Sequence, residues 1–216
     1  MPAFVRCFIQ NVMQFVPTDK LIANALRYMK VPPQAGLPPD SRSEELISTV
    51  KNAFERLENN INPRCVFGRF NIIHFDGGIE IEGACIYSKN IEKLTSRSNE
   101  CYLLAATLGH EADRQISISQ QKNMLDGIAL DACASVRIDA FIDYIIKNKI
   151  KPGLKEGENL TPRFSPGYGD LNMNVTEDII AILNASKYIG LSVTRSMMMS
   201  PIKSVTAIIG LCPSEK

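Results

Sequence analysis

Two prolines and two glycines fall within ten residues, Thr161-Pro162-Arg163-Phe164-Ser165-Pro166-Gly167-Tyr168-Gly169-Asp170. No helix and no central strand runs through such a stretch. Each proline lacks an amide hydrogen, fixes its own φ and pushes the preceding residue toward extended backbone. The fold must therefore be assembled from elements on either side of a fixed loop at 161–170. The glycines flank Tyr168, where they permit unusual backbone angles and leave room for close approach to the main chain. Arg163 brings a planar fork of donors suited to a carboxylate or phosphate. Tyr168 brings an aromatic face with a polar tip. On chemistry alone the stretch is either a binding loop or an ordinary Pro/Gly turn.

The rest of the chain reads as alternating helical and extended patterns. Residues 4–16 form a first strand or a swapped arm, and Thr18 caps a helix through about Met29. Four prolines between Val31 and Pro39 make a linker, so 1–40 reads as an arm and linker and 41–216 as the main domain. Ser41 and Glu44 form a capping box ahead of a helix whose Leu46, Ile47, Val50, Phe54 and Leu57 share one face. That face is core or a partner groove. Residues 65–85 read as two strands turning at Asp76-Gly77-Gly78, and 101–107 as a buried strand. A helix opens near Gly109-His110-Glu111, and 121–148 reads as one long helix. Thr176 caps another helix, which Gly190 ends, and strands follow near 191–196 and 203–210.

Asp139 stands on the small-residue face of the long helix with Ala132, Ser135 and Val136. An acid there is costly to bury unless paired. It is either a holder of an ammonium or arginine, or a helix-surface charge. His110 beside Glu111 and Asp113 reads as a solvated helix start, or else as acid–base chemistry or a metal ligand, and Met197-Met198-Met199 as core filling or a soft contact surface.

Composition narrows the function classes. Hydrophobic residues at 45% and charged residues at 22% are ordinary for a globular protein. With 24 basic and 23 acidic residues the net charge is +1, which offers nothing to nucleic acid or an anionic membrane. There is no membrane-length apolar run and no secretion signal, so a cytoplasmic location is expected. The six cysteines are dispersed without zinc spacing and read as reduced core residues, with no metal site.

Arg163-x-x-Pro166-Gly167-Tyr168 resembles the S-adenosylmethionine-binding signature of the activation domain of cobalamin-dependent methionine synthase. Ile189-Gly190-Leu191-Ser192-Val193-Thr194 resembles that family's Gly-x-x-Leu-Thr strand. Met199-Ser200-Pro201-Ile202-Lys203-Ser204-Val205 is similar to its Met-x-Pro-x-x-Ser-Val turn, and Asp139-Ala140-Phe141 stands where the family has Glu-Ala-Phe. The matches keep their order over roughly 125–210, in a chain that looks like the short free-standing relatives of that domain.

The resemblance implies an α+β fold, an antiparallel sheet flanked by helices. It implies a site in which Arg163 takes the carboxylate of S-adenosylmethionine and Asp139 its ammonium. Ser165, Pro166 and Gly167 would serve the adenosine end, Tyr168 the mouth, and Asp170 would be a second acid in reach. It implies an accessory role in reductive reactivation of a methionine synthase or other corrinoid protein. The cobalamin is carried by that partner, electrons come from flavodoxin or a similar donor, and no residue is expected to do acid–base catalysis. Asp139 is one methylene shorter than the family's glutamate, Arg195 replaces an acid, and the sequence ends before the family's last aromatic wall. The alternative is a docking module for a corrinoid protein that no longer binds the methyl donor. A stand-alone enzyme for an unrelated small anion is a third. An Arg163 head locked in an internal salt bridge, with no cavity beside Tyr168, would exclude the leading reading.

Overall fold

The computed structural model describes residues 9–10, 15–31 and 41–214. Strand β1 (Ile9–Gln10) and helices α1 (Asp19–Tyr28) and α2 (Ser41–Glu58) come first. Then follow β2 (Arg64–Asn71), β3 (Ile73–Phe75), β4 (Gly78–Ile81), β5 (Ala84–Tyr87), α3 (Lys89–Thr95) and β6 (Glu100–Thr107). Helices α4 (His110–Lys122) and α5 (Met124–Ile145) lead through a π turn (Ile146–Ile150) to β7 (Glu158–Leu160). The chain closes with α6 (Val175–Leu183), α7 (Ala185–Ile189), β8 (Ser192–Val193), β9 (Met199–Ser200) and β10 (Ser204–Pro213).

Five strands form an antiparallel sheet in the order β1-β2-β6-β10-β7, and β3-β4-β5 form a smaller one. This is the α+β, helix-flanked sheet expected. The alternation of side chains along a strand explains its two cores. Tyr102, Leu104 and Ala106 of β6 turn to the face covered by α1, α2, α4 and α5. Cys101, Leu103 and Ala105 turn to the other face, where α6, α7 and the small sheet pack. Because both faces are covered, β6 is an unbroken apolar run and not an alternating one.

Two ion-pair clusters fasten these elements, one within the sheet and one between helices. Arg69 on β2 donates to Glu100 on the adjacent β6 and to Glu158, at 2.6 Å, on the far edge strand β7. Arg137 on α5 is only 2% exposed; it pairs with Glu58 of α2 at 2.6 Å, and its guanidinium carbon lies 4.5 Å from the centre of the Phe15 ring.

Several local expectations are corrected. Residues 64–87 make four strands, not two, because the chain leaves the large sheet at Ile72, between β2 and β3, and turns again at Glu82-Gly83, both with positive φ. The long helix does not begin at Gln121. Asn123 leaves helical backbone, and its side-chain oxygen accepts from Leu125 N at 3.0 Å to start α5 afresh. Helix α6 begins at Val175, before Thr176, and Asn184 in left-handed backbone separates it from α7. Thr18 precedes α1 but makes no side-chain cap. The strand near 191–196 shortens to β8, which pairs with β9. Cys85 is exposed, whereas Cys65, Cys101 and Cys133 are buried. Within 4–16, β1 pairs with Cys65 and Arg64. The rest of that arm up to residue 14, the linker from Pro32, Cys7 and the Ser41 side chain lie outside the described residues.

Candidate functional site

The loop at 161–170 is pinned at both ends. Phe164 and Ile208 exchange backbone hydrogen bonds of 2.9 and 2.8 Å, so the loop docks on the free edge of β10. At its far end the Asp170 carboxylate caps α3. It accepts from Ser88 Oγ at 2.5 Å, Lys89 N at 2.8 Å and Asn90 N at 3.3 Å. These donors, the Ser88 hydroxyl first, hold the Asp170 carboxyl below its ordinary range. Between the anchors, Gly167 N donates to Leu171 O at 2.8 Å and Leu171 N to Tyr168 O at 3.0 Å. Gly167 has φ 90° and Gly169 φ 56°. That double turn requires glycine and lifts Tyr168 into solvent, where it is 69% exposed.

Beside Tyr168 lies a cavity of about 440 Å³. Arg163, Phe164, Ser165, Pro166 and Tyr168 form one wall, Asp139 of α5 another, and Met173 and Thr176 a third. Met199 and the start of β10, Ser204 to Thr206, close it. The volume falls within the range of small-molecule sites. Beyond Phe164 no strand among the described residues pairs with β10 on this side. The ladder alternates, and Ile208 and Gly210 both point their backbone groups this way. Thr206 therefore directs its N–H and C=O to the cavity side as well.

Arg163 and Asp139 meet at the cavity wall. Arg163 Nη2 donates to Asp139 Oδ1 at 2.7 Å, and the two side chains are 30% and 38% exposed. The other Asp139 oxygen lies 3.4 Å from the Tyr28 hydroxyl, which arrives from α1. Burial first, then the Asp139 charge, raise the Tyr28 hydroxyl above the ordinary tyrosine range, so it remains a donor.

Five of the seven residues singled out in the sequence thus line one space: Asp139, Arg163, Ser165, Pro166 and Tyr168. Gly167 shapes the turn behind it. Asp170 is turned away to α3. The exclusion condition is half met: the arginine head is in a salt bridge, but the cavity is there. Sequence reasoning missed Tyr28, Phe164, Thr176 and Thr206. Phe164 and Thr206 contribute through backbone and edge position, which leave no mark in side-chain patterns. Tyr28 is 111 residues from Asp139 in the chain; its one signal was a lone aromatic beside the apolar face of α1.

The architecture has a counterpart. The chain is similar to the crystal structure of the MetH reactivation domain bound to AdoHcy, with a TM-score of 0.69 and 18% identity over 98% of this chain and 80% of that one. The chain has the MetH reactivation-domain fold. No protein-family model matches it, and no curated protein matches it by sequence. Among the described residues no helix is long and apolar enough to cross a membrane.

Proposed function

We propose that the chain binds S-adenosylmethionine in the cavity beside Tyr168 and presents its methyl group to a cobalamin carried by a separate corrinoid protein, a cobalamin-dependent methionine synthase. The observation that carries this is the pairing of one cation and one anion, Arg163 and Asp139, at the wall of a cavity of about 440 Å³ in a MetH reactivation-domain fold. The AdoHcy of that neighbouring structure is what S-adenosylmethionine becomes when its methyl is lost.

The residues fit such a ligand. A guanidinium fork matches the tail carboxylate in two parallel hydrogen bonds. A carboxylate matches the tail ammonium. The free edge of β10 at Thr206 offers one donor and one acceptor, the pattern an adenine edge needs. The Tyr168 ring stands at the mouth. The sulfonium supplies a methyl cation equivalent to reduced cobalt on the partner, after an electron donor such as flavodoxin has reduced it. This chain's own share is to hold and aim. Among the described residues its cavity lining contains no histidine or cysteine, and methyl transfer requires no proton to move.

Calorimetry tests the reading. Wild type releases heat with S-adenosylmethionine, and Arg163→Ala weakens binding about tenfold or more, the loss of a charge-assisted bidentate contact. No heat from wild type at millimolar ligand, or the same heat from both proteins, removes the ligand.

One observation favours a second reading. Arg163 is already spent on Asp139, as in a docking module that keeps the corrinoid-facing surface and has lost the methyl donor. Capture of a corrinoid protein that is indifferent to S-adenosylmethionine, by a chain that releases no heat with it, would select that reading.

A further inference from the structure

The two groups assigned above to opposite charges of one ligand are, in the free chain, each other's counterion. Arg163 Nη2 sits 2.7 Å from Asp139 Oδ1. A ligand end with a carboxylate alone must break that pair and strand the aspartate. An end with an ammonium alone strands the arginine. An end with both exchanges one ion pair for two. Both side chains are about a third exposed, so water screens the pair and keeps it weak enough to be opened.

Opening it has a second requirement. Once Arg163 swings to a ligand, Asp139 loses the partner that held its Oδ1. Its Oδ2 faces the Tyr28 hydroxyl at 3.4 Å, a long contact with room to shorten when the carboxylate is released. Tyr28 ends α1, and α1 is itself fixed by Ile22 and Ala25 in the core against α5. The phenol, 52% exposed, is thus carried by an anchored helix and not by the loop itself.

We propose that Arg163 and Asp139 form a latch opened by ligands that carry both an α-carboxylate and an α-ammonium, and that Tyr28 is the positioning residue that keeps Asp139 aimed after it opens. This rests on the ligand reading given above. The latch makes the cavity selective for a whole amino-acid end and is closed in its absence, so adenosine compounds with a half-charged tail gain little from either residue.

The test uses the full chain, calorimetry, and two probes: S-adenosylhomocysteine and its analogue with hydrogen in place of the α-amino group. Wild type prefers the first. Asp139→Asn weakens S-adenosylhomocysteine about tenfold but tightens the deaminated analogue, because Arg163 no longer has to be pulled off an anion. Tyr28→Phe weakens S-adenosylhomocysteine about fivefold and leaves the deaminated analogue unchanged. Circular-dichroism melts confirm that each variant is folded. An Asp139→Asn chain that weakens both probes, or changes neither, overturns the latch and leaves the ligand standing. A Tyr28→Phe chain that weakens both equally makes Tyr28 a structural residue only. A wild-type chain that binds neither probe overturns the ligand reading itself, and the latch with it.

Discussion

Gly167 shows how narrowly the loop is specified. Its φ is 90°, and a β-carbon there would lie 2.5 Å from the sulfur of Met173. The sulfur ends a flexible side chain and can yield; the backbone angle cannot. Gly167→Ala is expected to cost about 1–2 kcal/mol in a thermal melt and to weaken S-adenosylmethionine in calorimetry, since Tyr168 moves with the turn. At this scale the sequence was legible where a residue's chemistry is unusual for its setting. Arg163, Tyr168 and Asp139 stood out as charges or rings in a proline–glycine stretch or on a small-residue face. Arg137 did not. It is among the largest fully buried side chains, yet nothing in Ser135-Val136-Arg137-Ile138 separates a buried arginine from one that reaches solvent. The positions of Glu58 on α2 and of Phe15 ahead of α1, both far away in the chain, explain it.

Between elements, charge does much of the fastening. Glu158 belongs to β7, a three-residue edge strand, and Arg69 holds it from three strands away. The hydrogen bonds from Arg69 keep the Glu158 carboxyl below the ordinary value of 4.5. A carboxyl with a lowered folded-state value contributes fully above its unfolded value and loses that contribution as pH falls through the folded one. Melting temperatures measured from about pH 6 to about pH 3 should therefore fall less steeply for Glu158→Gln than for wild type. Element boundaries were the least legible part of the fold. Asn123 and Asn184 each interrupt a sequence that is periodic enough to be one helix. The first does so by capping its successor, the second by taking left-handed backbone that asparagine tolerates. Either behaviour is open to any asparagine, so residue type alone does not announce it. Four strands at 64–87 were read as two for a similar reason: Ile72 passes the chain from one sheet to the other with no turn residue to mark it, and Glu82 takes positive φ without being glycine.

For the molecule as a whole, the cavity opens beside exposed apolar side chains. Tyr168 and Met173 flank it, Met198 lies just before β9, and Ile202 lies between β9 and β10. If a corrinoid protein docks here, Met198→Glu combined with Ile202→Glu should reduce its capture in a pull-down about tenfold or more. S-adenosylmethionine should still bind within about twofold of wild type, because neither side chain lines the cavity. Fold class was legible, and residues of motifs as far apart as Asp139, Arg163 and Met199 come to line one cavity once the sheet forms. What stayed hidden was the state of the site: that its arginine and aspartate neutralise one another depends on the angle at which α5 passes the loop.

The strand order carries a consequence for synthesis. Of the described strands β10 is translated after all the others, yet it lies inside the sheet, paired with β6 over eight residues and with β7 beyond. While Ser204–Pro213 is still within the ribosome, β6 has one bare margin and β7 has no neighbour at all. Assembly of this sheet must therefore wait until Ser204–Pro213 has emerged. A nascent chain stalled before Ser204 would offer chaperones, or other stalled copies, an apolar strand with half its hydrogen bonds unclaimed.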